Sequence, residues 1–99
     1  MIPVRFSGLA LADLEDIASY IAAHNPSAAR RVINRIEELC FALGELPGLG
    51  RPSEVPGARK LLVPEWPYKI IYEIVRDPHQ VVILRVYHGA RNLPYENAR

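Results

Sequence analysis

A single cysteine among 99 residues excludes an intrachain disulfide and a zinc site built on thiolates, and it fits a reducing compartment. Cys40 continues the apolar stripe of a helix, so it reads as a small buried hydrophobe rather than a reactive thiol. Charge of one sign is equally scarce. Twelve Lys and Arg against eleven Asp and Glu give a formal net charge of +1. There is thus no global electrostatic case for binding nucleic acid, and any such case rests on a local patch. No apolar run is long enough to span a bilayer, and no charged-then-apolar leader opens the chain, so the expectation is a cytoplasmic protein without membrane contact. His24, His79 and His88 stand far apart on different predicted elements, without ligand spacing; neither a metal nor another cofactor is expected. A phosphate-cradling loop is missing too, because Gly48-Leu49-Gly50 runs into Arg51-Pro52 and more loop instead of opening a helix. The lone tryptophan, Trp66, lies between Glu65 and Pro67 and reads either as a plug in a small core or as an exposed contact.

What is present is a pattern of elements. With 49% hydrophobic and 23% charged residues, the chain is expected to form one domain over residues 1–99, of a size that buries roughly 65% of its unfolded surface. Residues 2–6 read as a short first strand, with Pro3 near its start favouring an edge. Ala10, Leu14, Ile17 and Ile21 then follow the spacing of one helical face, with Ser7 as N-cap and Asp13, Glu15 and Asp16 toward the positive end of the helix. This helix is expected to stop near His24. Asn25-Pro26 restarts the chain as a second helix, with an apolar stripe of Ala29, Val32, Ile33, Ile36, Cys40 and Leu43 that ends around Leu46-Pro47. So short a link makes the two helices an antiparallel hairpin. Residues 44–58 carry seven Gly and Pro and read as a loop around the molecule. Residues 59–63 read as a strand, turned by Pro64-Glu65-Trp66-Pro67 into a final hairpin. The expected class is α+β: a strand, a helical hairpin, then a three-strand antiparallel meander with the helices on one sheet face.

The final hairpin carries the candidate chemistry. Residues 68–75 and 81–91 alternate, with 76–80 (Arg-Asp-Pro-His-Gln) as a five-residue loop. Strict alternation puts Tyr68, Ile70, Tyr72 and Ile74 on one face with Val82, Leu84 and Val86, while Lys69, Glu73, Arg85 and Tyr87 point the other way. With the loop centred on Pro78, Lys69 lies opposite Tyr87. Arg59 and Lys60 add charge near the same strand edge, and Arg30, Arg31 and Arg35 mark the second helix. The result is a basic, aromatic-flanked sheet face open to a partner.

This order of elements, with the segments Ala12-Asp13-Leu14-Glu15-Asp16-Ile17, Tyr20-Ile21-Ala22, Asn25-Pro26, Pro47-Gly48-Leu49-Gly50-Arg51, Tyr68-Lys69-Ile70-Ile71-Tyr72 and Arg85-Val86-Tyr87-His88-Gly89-Ala90-Arg91, resembles the RelE/ParE superfamily of bacterial toxins almost end to end. The resemblance implies the toxin half of a type II toxin–antitoxin module, neutralised by a cognate antitoxin that wraps it. RelE-like members cut mRNA in the ribosomal A site, whereas ParE-like members act on DNA gyrase. The His-Gly-Ala-Arg ending matches the ParE branch best, so the expected target is gyrase, with the ribosome and its mRNA as the alternative and a non-toxic protein-interaction module as a third reading.

On the RelE-like alternative, the resemblance implies Lys69, Arg91, His88 and Tyr95 as the catalytic set, since cleavage needs a proton acceptor, cations at the phosphorane and a proton donor. Target binding falls to Arg59, Lys60, Arg85 and Tyr87, and antitoxin binding to Arg30, Arg31 and Arg35. Plainer readings stand beside these. His88 falls by parity opposite Tyr68, as a structural histidine at a strand end. Arg85 pairs with Glu73 across the hairpin, a solvated contact usually worth under about 1 kcal/mol. Lys69 is an ordinary strand lysine that discourages sheet-to-sheet association, and Tyr95 belongs to a polar tail.

Overall fold

The structure, a computed structural model, describes residues 1–89. Ser7 starts helix α1 (Gly8–Ala22) by accepting the Ala10 N–H at its hydroxyl, 3.0 Å away. Asn25 does the same for α2 (Pro26–Ala42), its Oδ1 accepting the Ala28 N–H at 3.1 Å with Pro26 in the first turn, where no N–H is needed. The stripes named by the sequence turn inward: Ala10 and Leu14 on α1, and Ala29, Val32, Ile36 and Cys40 on α2, are buried, followed by Leu43. Burial among these side chains pushes the Cys40 thiol up to about 12, with the nearby Glu37 charge adding to the effect; this is an inert thiol.

The helices cover one face of a five-stranded sheet in the order β1-β5-β4-β3-β2, built from β1 (Val4–Phe6), β2 (Arg51–Pro52), β3 (Arg59–Leu62), β4 (Tyr68–Arg76) and β5 (His79–His88). β1 runs parallel to β5, and the other neighbours pair antiparallel. The meander β3–β4–β5 is the expected one. The two-residue β2 on the far edge was not foreseen; Pro52 sits there without removing a bond from a central ladder. Between α2 and β2, a short 3₁₀ turn (Pro47–Leu49) is tied down by Tyr72, whose hydroxyl donates to the Pro47 carbonyl at 2.7 Å and accepts the Gly50 N–H at 2.8 Å. A Cβ at Gly50 would stand 2.7 Å from the Lys60 carbonyl oxygen and 2.8 Å from the Tyr72 ring, so only glycine passes here. Trp66 lies half-buried against the main core, as the plug reading expects.

Two features of the β4–β5 hairpin depart from the sequence reading. Its loop is two residues, Asp77-Pro78, with a cis peptide bond, and the strands pair as far as Arg76 and His79. More consequential is a bulge. Ile70 pairs with Val86 and Ile71 with Arg85, but Tyr72 pairs with Ile83, so Leu84 is an extra residue on β5. An extra residue reverses which side chains face which side. Val81 and Ile83, not Val82 and Leu84, therefore join Tyr68, Ile70, Tyr72 and Val86 in the helix-side core. Ile74, expected inside, is 36% exposed.

The opposite face is less open than strict alternation implies. Residues 53–58 fold over it, and Val55 and Ala58 pack with Ile71, Leu84 and Tyr87 into a second, smaller apolar cluster.

The candidate site on the sheet face around Lys69

Lys69 sits in the middle of that second face, opposite Leu62 on β3 and Tyr87 on β5. Lys60 shares the face, since it pairs with Ile71 in the same register. Its Nζ lies 3.0 Å from Glu54 Oε1, on the loop that crosses the sheet. The Glu54 carboxyl is held below its usual range, first by a hydrogen bond from its own backbone N–H, then by Lys60, with Lys69 contributing through its charge. One carboxylate thus serves two lysines at the surface. Past the end of β5, Gly89 donates its N–H to the Pro67 carbonyl, and a Cβ there would stand 3.3 Å from Lys69 Cε. The chain leaves the sheet beside the Lys69 stem.

The remaining candidates divide. Tyr87 lies on the expected side, opposite Lys69, but is only 8% exposed, buried by the cluster that residues 53–58 complete. Arg59 is not a neighbour of Lys60 on this face: strand alternation sends it to the other side, where Nε and Nη2 donate to the Gly50 carbonyl at 3.1 and 2.6 Å and Nη2 also to the Gly48 carbonyl at 3.3 Å. Arg85 is likewise corrected. From the bulge it reaches the helical layer and forms a two-pronged pair with Asp13, Nε to Oδ2 at 2.8 Å and Nη2 to Oδ1 at 2.9 Å, in place of the expected pair with Glu73. His88 follows parity: it sits opposite Tyr68 on the helix side, the two rings edge to face with centroids 5.6 Å apart. Arg30 and Arg31 are exposed on α2, Arg31 Nη1 within 3.5 Å of Ser27 Oγ, and the partly exposed Arg35 meets Glu38 at 3.4 Å. Arg91 and Tyr95 lie outside the described residues.

Sequence reasoning missed Asp13 and Glu54. Asp13 had been read as complementing the dipole of α1, but its carboxylate is committed to Arg85, 72 residues away, and to the Val86 N–H at 2.9 Å. No local signal announces such a pair. Glu54 sits in a stretch of Gly and Pro where periodicity carries no information.

Chemically, the face offers two lysine ammonium groups beside apolar surface. Lys69 and His88 occupy opposite sides of the sheet and do not converge. Among the described residues, no group of three or more His, Cys, Asp or Glu is placed to hold a metal ion, and no helix is long and apolar enough to cross a membrane.

Comparison with known proteins agrees with this architecture. Residues 4–93 match the family model described as the ParE toxin of the type II toxin–antitoxin system parDE. The Sinorhizobium fredii protein named "Putative toxin Y4kP" is 40% identical over 91 residues, 92% of each chain. Toxin RelE2 of Caulobacter vibrioides is 35% identical over 91 residues, 92% of this chain and 99% of that one. Among solved structures, the chromosomal ParDE system from P. aeruginosa superposes with a TM-score of 0.78 at 31% identity, covering 89% of this chain and 96% of that one. With its fold and nearly its whole length in agreement, the chain belongs to the ParE toxin family, within the RelE/ParE superfamily of type II toxin–antitoxin toxins.

Proposed function

We propose that this toxin arrests growth by acting on DNA gyrase, as the resemblance to the ParE branch implies, and that it carries no nuclease chemistry of its own. The observation that carries the reading is the division of the described catalytic candidates between the two sheet faces. A phosphoryl transfer needs its proton acceptor, proton donor and cations around one phosphorus. Lys69 is on one side of the sheet and His88 on the other, stacked edge-on against Tyr68, while Arg59 and Arg85 are spent on internal oxygens. What remains on the partner-facing side is Lys60, Lys69 and an apolar strip, a surface suited to gripping a protein. The test is purified toxin, freed of antitoxin, incubated with gyrase, ATP and plasmid, with supercoiling and linearised DNA read on a gel. Inhibition or trapped cleavage is expected; no effect from protein that arrests growth in cells would overturn the reading.

The second reading is ribosome-dependent mRNA cleavage. It is favoured by the 35% identity to a relative named Toxin RelE2 and by the placement of Lys60 and Lys69 on one face. In that case mRNA is cut in a translation extract, and Lys69→Ala lowers the cleavage rate at least tenfold.

Either target implies a cognate antitoxin, and the structural relative from P. aeruginosa is itself a ParDE system. We expect an acidic, amphipathic antitoxin segment to order along the helical hairpin and meet Arg30, Arg31 and Arg35, which face solvent on α2 with at most one exposed acidic neighbour in contact. Charge reversal at both Arg31 and Arg35 is expected to weaken the complex more than tenfold by calorimetry. Unchanged affinity would move the docking surface elsewhere.

A further inference from the structure

The bulge in β5 has an unusual owner. β1 ends at Phe6 and pairs with β5 only as far as Ile83, so β5 loses its edge neighbour just where the extra residue disrupts its ladder. The start of α1 takes over. The Ser7 N–H donates to the Ile83 carbonyl at 2.9 Å, Ser7 Oγ donates to the Leu84 carbonyl at 2.9 Å, and Asp13 Oδ2 accepts the Val86 N–H at 2.9 Å. Three backbone groups along the bulge are thus satisfied by two residues of the helix layer. Asp13 also holds Arg85 at the same point.

The consequence falls on the other face. Carried forward from Val81 and Ile83 without a bulge, a period of two turns Arg85 and Tyr87 toward the helices and Val86 and His88 outward. With the bulge, Val86 and His88 turn inward and Tyr87 comes to lie opposite Lys69. We infer that Asp13 is a positioning residue: by capping the Val86 N–H it holds the β5 bulge, and so determines that Tyr87 rather than His88 accompanies Lys69 on the partner-facing side. The inference deepens the proposed function and rests on the reading that the Lys69 face meets the target, but the register it assigns is measurable without any target.

The register is read by a cross-link. Directly opposed residues of antiparallel strands have Cα atoms about 4.5–5.5 Å apart, within disulfide reach. The double variant Lys69→Cys/Tyr87→Cys therefore oxidises readily, and Cys40, buried in the core, does not compete. Adding Asp13→Ala is expected to slow this cross-link at least tenfold, because the bulge relaxes and position 87 turns away. Adding Arg85→Gln, which leaves the Asp13–Val86 bond in place, is expected to leave it unchanged. A cross-link at the original rate with Asp13→Ala overturns the inference, as does loss with Arg85→Gln. Amide exchange of the unmodified protein gives an independent check that needs no variant: the Val86 N–H is expected to exchange at least a hundredfold more slowly than exposed loop amides, and exchange at the loop rate also overturns the assignment. In cells, Asp13→Ala is expected to abolish growth arrest, while Ile36→Val, which disturbs only the core, retains it. A lost cross-link with growth arrest intact would count against the Lys69 face as the target surface while leaving Asp13 as the holder of the register.

Discussion

Arg59 and Lys60 are neighbours in sequence and opposites in use. Strand alternation sends Arg59 to the helix side, where its planar fork takes two backbone carbonyls of the 48–50 segment, and sends Lys60 to the other face, where its ammonium meets one surface carboxylate. Arg85 and Lys69, on adjacent strands, repeat the division. The arginine is locked in a two-pronged pair whose side chains are only 17% and 13% exposed, while the lysine is held by no ion pair of comparable geometry among the described residues. The guanidinium suits fixed, multiple hydrogen bonds; the ammonium on a flexible stem suits a contact that is remade when a partner arrives. These four sheet cations are thus sorted by chemistry into two arginines that hold the fold and two lysines left for a partner.

The sharpest break in this comparison comes from truncating the arginines. Arg85→Ala strands the Asp13 carboxylate in a mostly desolvated position, and a loss of about 3 kcal/mol is expected from urea unfolding. Arg59→Ala removes every side-chain bond to the Gly48 and Gly50 carbonyls; those oxygens are partly solvated, so the cost is smaller, about 2 kcal/mol. Losses under about 0.5 kcal/mol at both positions would show that arginines and lysines here do not differ in kind.

The contrast also marks where the sequence was legible. Both helices, their Ser7 and Asn25 caps and the final hairpin follow from local pattern: a period of 3.6, a period of two, and turn residues between. The pairing of Lys69 with Tyr87 came out as expected for a different reason: the two-residue loop alone would set Lys69 opposite Val86, and the extra residue of the bulge restores the register of a loop centred on Pro78. What was not readable is long-range. A bulge adds one residue without altering composition, so parity was right from Val86 onward and wrong at Val82, Leu84 and Arg85. The Asp13–Arg85 pair joins residues from opposite ends of the chain, and the burial of Tyr87 depends on a Gly- and Pro-rich loop folding back over the sheet. Each is decided by tertiary packing, which no window of ten residues contains.

Lysine truncation sharpens the comparison from the other side. Lys60→Ala and Lys69→Ala are expected to change stability by less than about 0.5 kcal/mol, the usual range for surface positions, while at least one of them lowers the potency of growth arrest tenfold or more. A lysine variant as unstable as Arg59→Ala, or full potency in the Lys60/Lys69 double variant, would break the division between holding and contacting cations.

The smallest effect is electrostatic and is read at Glu54. Its carboxyl is depressed by its own backbone N–H first and by Lys60 second, so Lys60→Gln should raise its titration midpoint only part of the way back to the ordinary carboxylate value, as followed by carboxyl NMR shifts. The sign of the linkage is that of a depressed acid. Its stabilisation is fully present above the unfolded carboxylate range and is lost as pH falls through the lower folded midpoint. Because the group is exposed, solvent and salt screen the pair, and raising the ionic strength to about 1 M should bring the wild-type and Lys60→Gln midpoints together. A midpoint unmoved by the substitution at low salt would mean that Lys60 does not hold the carboxylate in solution. Lys60 and Lys69 would then both face the partner without an internal counter-charge, and the contrast with the arginines would be wider than the geometry indicates.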